Sequence, residues 1–121
     1  AVPQADALAG LLHDAAEAYV GDSSRPLKLC VPALRALEKP IQRCIFRAFG
    51  LAEEIPASVH RADIAAVLAE KRDLLSNLPW EENTTGIEPL PEKIRPLDWR
   101  FAGRQFLMRW EELARGPRWR P

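Results

Sequence analysis

A chain of 121 residues whose 17 basic and 17 acidic side chains cancel has no global field to recruit a nucleic-acid polymer or an anionic membrane. With 47% hydrophobic and 28% charged residues it has the composition of one globular domain, expected to span 1–121 with a modest core. These residues hold no apolar run long enough for a bilayer and no basic-apolar-cleavage pattern of a signal peptide. Cys30 and Cys44 lack zinc-finger spacing, so they are expected to be buried thiols of a cytoplasmic protein.

Pro3 and Asp6 mark the start of a first helix, expected to run to about Val20, where Gly21 stops it. Residues 22–32, stiffened by Pro26 and Pro32, read as a loop. A second helix is expected over about 33–49, with Leu34, Leu37, Ile41, Ile45 and Phe49 on one face. Pro40 should kink or split it, and Gly50 should end it. Pro56 and Ser58 open a third helix over about 57–77. Residues 78–98, with Pro79, Gly86, Pro89, Pro91 and Pro96, read as an extended, proline-braced loop. A closing helix over 99–114 presents Phe101, Phe106, Leu107, Trp110 and Leu113. Trp80, Trp99 and Trp110 are expected in the core or an oligomer interface, and Arg115, Arg118 and Arg120 in a solvated tail. With no period-two alternation, the fold class is all-α, a bundle of about four to six helices.

Asp6, Gly10, His13, Asp14 and Glu17 trace one narrow stripe of the first helix. A thin wet face is the ordinary reason for such a stripe. Here it lacks lysine and arginine, and within two turns it carries three groups suited to metal or proton chemistry. Asp63 is the one ionisable group in ADIAAVLA, residues 62–69. It either faces solvent, pairs with Arg61 or His60, or meets His13 and Asp14 across a helix contact. In the last case imidazole nitrogen and carboxylate oxygen would suit a divalent transition metal.

HDAAEAYVGDSSRPLK at 13–28, the Ala-Asp pair at 62–63, EKRDL at 70–74 and FLMRWEEL at 106–113 together resemble the HD-domain metal-dependent phosphohydrolases, in their 5′-deoxynucleotidase-like branch. The resemblance implies an HD-domain-like helical bundle and a divalent ion (Mn, Co, Fe, Ni, Zn or Mg) held by His13, Asp14 and Asp63. It implies Glu17 as general acid or base and Asp22 close to the attacking water. It also implies Lys28 near the phosphate, with Arg25 a local addition that could assist. The substrate would be a small phosphorylated molecule of the nucleotide class, hydrolysed at a phosphate ester or anhydride. The family motif begins with a further histidine on an upstream helix, and no histidine precedes His13 in this sequence. The chain is therefore expected to start in the loop after that helix, and the alternative function is a degenerate or truncated module that binds a nucleotide or protein partner without catalysis. A bundle without that helix would expose apolar surface, so a homodimer is expected.

Overall fold

The computed structural model describes residues 2–75 and 86–114, with Arg25 described in its backbone alone. A 3-10 turn, Gln4–Asp6, leads into α1 (Ala7–Leu12), α2 (Glu17–Val20), α3 (Arg25–Cys30), α4 (Pro32–Ala48), α5 (Ala57–Leu74) and α6 (Trp99–Ala114). The described residues contain no strand, and the fold class is all-α. None of the described helices is long and apolar enough to cross a membrane. Helix α5 ends at Leu74, short of the expected 77, and Pro79, Trp80, Arg115, Arg118 and Arg120 lie outside the described residues.

Phe46, fully buried on α4, is the centre of packing. Ala9 and Leu12 of α1 and Val59 of α5 close around it, with Leu51, Ile55 and Trp110 at the margin. Trp110 brings α6 in by an edge-to-face contact with Phe49, ring centroids 5.0 Å apart. Gly50, at φ 65°, ends α4 as only glycine does without strain. There the Leu51 N–H reaches back to the Phe46 carbonyl and the Gly50 N–H to that of Arg47, a Schellman closure.

Several expectations change. The first helix is not continuous: residues 13–16 form turns between α1 and α2. An α-helix would place a hydrogen bond from the Ala16 N–H to the Leu12 carbonyl. The buried Gln42 carboxamide occupies that rung instead, donating to the Leu12 carbonyl at 2.8 Å and accepting from the Ala16 N–H at 3.1 Å. The chain between tightens to i→i+3 bonds, Ala15 to Leu12 and Glu17 to Asp14.

Residues 25–30 are helical rather than loop, because Pro26 in the first turn of α3 is already set at a helical φ. Val31, before Pro32, is held extended and separates α3 from α4. Helix α4 runs through Pro40 unbroken and buries Gln42 and Phe46, whereas Leu37 is 52% exposed. Both cysteines are exposed, against expectation. Cys44 lies off the Phe46 face and lines an open apolar groove with Ile41, Ile45 and Tyr19.

Candidate metal and phosphate site

Helix α1 meets helix α5 through side chains at three points along its length. The Ser58 hydroxyl donates to the Asp6 carboxylate, tying the first turn of one to the first turn of the other. One turn on, Gly10 faces Val59. A further turn on, His13 faces Asp63, with Nε2 3.7 Å from Oδ1. The pair meets across a helix contact, and Asp63 remains 47% exposed rather than buried.

His13 is fixed from behind. Its Nδ1 lies 2.8 Å from the Gly10 carbonyl, which can only accept, so Nδ1 carries the hydrogen. In the neutral ring this leaves the Nε2 lone pair free. Nε2 is buried and makes no hydrogen bond, although Asp14 Oδ2 is 3.0 Å away. The two atoms are close but not aligned as donor and acceptor. Contact with Asp14, then with Asp63, pushes the imidazole up to about 10 against the opposing pull of burial, so at neutral pH Nε2 carries a proton that a bound metal ion would displace. The same contact with His13 holds Asp14 below the ordinary aspartate range.

An imidazole whose far nitrogen is held by a carbonyl, and whose near nitrogen is orphaned between two carboxylates, has the donor chemistry of a divalent metal ligand set. His13, Asp14 and Asp63 therefore fit such an ion by type and by the orphaned Nε2. As they stand they do not enclose one: among the described residues no three His, Cys, Asp or Glu side chains are grouped to hold a metal ion.

Beside His13 and Asp14 opens a cleft of about 160 Å³, also lined by Glu17, Lys28, Glu38, Lys39 and Gln42. Lys28 Nζ lies 2.8 Å from Glu17 Oε1 and 2.9 Å from Glu38 Oε1, and all three side chains are mostly buried. Burial alone would lower the Lys28 pKa, but the bonds to Glu17 and Glu38 outweigh it and hold the ammonium above its ordinary value. Asp63 lines a neighbouring opening with His13, Gly10, Val59 and Arg109.

The structure thus gathers His13, Asp14 and Asp63 around one imidazole nitrogen, and brings Glu17 and Lys28 to the adjoining cleft. Asp22 is exposed on the turn after α2 and does not line the cleft. The Arg25 side chain lies outside what is described. Sequence reasoning missed Glu38, Lys39 and Gln42. The available signal was the spacing Glu38, Gln42, Phe46, which puts two polar groups in line with the most buried side chain of α4.

Fold and site together define an all-α protein with an imidazole–carboxylate cluster above a cleft that carries lysine. No family model matches the chain, and no solved structure does. It is 38% identical over 73 residues to the uncharacterized protein YfdR of Escherichia coli (strain K12), a stretch that is 60% of this chain and 41% of that protein. The match thus spans less than half of the relative's length.

Proposed function

We propose that this chain is a divalent-metal-dependent phosphohydrolase of the HD type, acting on a phosphate ester or anhydride of a small phosphorylated molecule, a nucleotide by class. The observation that carries this reading is the His13 ring, held at Nδ1 by the Gly10 carbonyl, with its buried Nε2 unbonded beside Asp14 and Asp63. His13, Asp14 and Asp63 would hold the ion. When bound there, a divalent ion lowers the pKa of water and draws charge off a phosphoryl oxygen.

The chain's own residues do the rest. Glu17, at the edge of the same cleft, accepts a proton from the attacking water. The water oxygen bonds to phosphorus as the bond from phosphorus to the leaving oxygen breaks. Glu17 then returns that proton to the leaving oxygen, so it ends the cycle as it began. Asp22, which the resemblance puts close to the attacking water, is exposed outside the cleft in this structure and is given no step here. A second copy of the chain is proposed as partner.

The test is phosphate release from a panel of ribo- and deoxynucleotides by purified protein with added manganese or cobalt. Turnover of at least one is expected, and Asp14→Ala should lower it by about a hundredfold or more. An unaffected Asp14→Ala protein sinks the mechanism. A silent panel overturns the hydrolase in favour of a non-catalytic module that binds a nucleotide or a protein partner.

A further inference from the structure

Two lysines line the cleft, and their surroundings are opposite. Lys28 is 17% exposed and sits between two carboxylates that are themselves 24% and 18% exposed. One ammonium between two carboxylates leaves a net charge of −1. Drawing that ammonium toward a phosphoryl group would strip the counterion from two mostly buried carboxylates. Leaving it in place gives a phosphoryl group no free positive charge at that point.

Lys39 follows Glu38 on α4 and so projects about 100° around the helix from it. It is exposed, lines the same cleft, and its side chain has no hydrogen bond or ion pair among the described residues. A long, flexible stem with an unspent ammonium is what phosphate binding by a point charge needs.

Resting on the hydrolase reading, we infer that the two lysines divide the work: Lys28, braced by Glu38, is a positioning residue that holds Glu17 toward the cleft, and Lys39 is the cation that meets the phosphoryl group. Glu38 thereby gains a role in the site without touching substrate. The resemblance put Lys28 at the phosphate; the two short ion pairs move that function from α3 to Lys39 of α4.

The two roles separate in kinetics. A group that binds the phosphoryl group in ground and transition state alike affects KM, whereas one that aims the base affects kcat. With the best nucleotide of the panel, Lys39→Gln should raise KM about tenfold and leave kcat within about twofold. Lys28→Gln and Glu38→Gln should each lower kcat about tenfold with KM within about threefold, and Lys28→Arg should recover part of the loss. A second readout needs no turnover. Inorganic phosphate, titrated in the presence of magnesium and followed by 1H–15N chemical shifts, should move cleft resonances in the unchanged protein and in Lys28→Gln. In Lys39→Gln the apparent affinity should fall about tenfold.

If Lys28→Gln removes the phosphate response while Lys39→Gln keeps it, or if Lys28→Gln and Glu38→Gln leave kcat unchanged, the division of labour is overturned. Should Lys28→Gln not fold, Glu38→Gln carries the same kinetic test and Lys39→Gln the same titration. A protein inactive on every nucleotide refutes the hydrolase reading, and the phosphate titration still decides between the lysines.

Discussion

Gln42 sets the local geometry of the candidate site although it hydrogen-bonds to neither His13 nor Asp14. Its carboxamide replaces one rung of a helix that the sequence pattern runs straight through. Gln42→Glu keeps an acceptor for the Ala16 N–H but sets a carboxylate oxygen against the Leu12 carbonyl. It should destabilise the fold by about 2 kcal/mol at neutral pH in urea unfolding. The deficit should shrink as the pH falls and the acid regains a donor, because the proton is then bound more tightly in the folded state than in the unfolded one. A constant deficit across pH would refute the rung. Gly10 makes the opposite prediction. A Cβ there would meet Val2 and Val59 methyl carbons at 3.7 Å, ordinary contact distance. Inside a helix glycine costs roughly 1 kcal/mol relative to alanine, so Gly10→Ala should raise the unfolding midpoint by about 0.5–1 kcal/mol of stability. A lower midpoint would mean that α1 and α5 sit closer than this structure places them. Packing therefore does not require glycine at position 10, whose part in the stripe is the carbonyl that orients His13.

At the scale of elements, the long helices were legible because their signals are local and redundant. Pro56 before α5, Gly50 after α4 and the apolar spacing of residues 99–114 each mark a boundary that the structure keeps. The break after Leu12 was not legible, because its cause lies thirty residues away on α4. Nor was the anchoring of the proline-rich segment. Arg72 donates to the carbonyls of Leu90 and Glu92, the Asp73 carboxylate accepts from the Ile94 N–H at 2.7 Å, and the Leu90 N–H reaches the Ala65 carbonyl. Residues 86–98 are thus tied to α5 by polar contacts that no spacing rule reveals. The Arg72 guanidinium beside Asp73, with the Ile94 N–H, holds that carboxyl down to about 2 from 3.8. Between these values the unfolded chain binds the proton and the folded one does not, so Asp73 adds stability above about pH 4 that is lost as pH falls through about 2. Asp73→Asn should flatten that part of the stability profile, read from thermal unfolding at successive pH values. An unchanged acid slope would show that the Asp73 contacts do not stabilise the folded state.

For the molecule as a whole, the sequence stripe and the lone carboxylate of ADIAAVLA already pointed to one cluster, and helix α5 brings Asp63 to His13 as that alternative required. What spacing could not show was which charges are spent: Lys28 is committed to two carboxylates, one of them on a helix whose polar face gave no sign of a site. The same accounting applies to apolar surface. Helix α6 turns Trp110 inward, yet Trp99, Phe101, Phe106, Leu107 and Met108 stay between 41% and 72% exposed. Arg100 stacks over Trp99 at 4.5 Å and Arg104 lies over Phe101 at 5.9 Å. Five large apolar side chains on one sixteen-residue helix exceed what a lone small domain ordinarily leaves to water. A second copy, packing its own α6 about a twofold axis against the side of this one that carries Trp99, Phe106 and Leu107, would cover those residues in both copies. Sedimentation velocity should then give about twice the 13.6 kDa chain mass at micromolar concentration. Leu107→Glu should return it to the chain mass without lowering the unfolding cooperativity, since Leu107 is 58% exposed and outside the Phe46 core. A monomer at every concentration would leave the α6 face to a different partner. A dimer that survives Leu107→Glu would place the contact elsewhere, with the groove of Tyr19, Ile41 and Ile45 the next apolar surface to substitute.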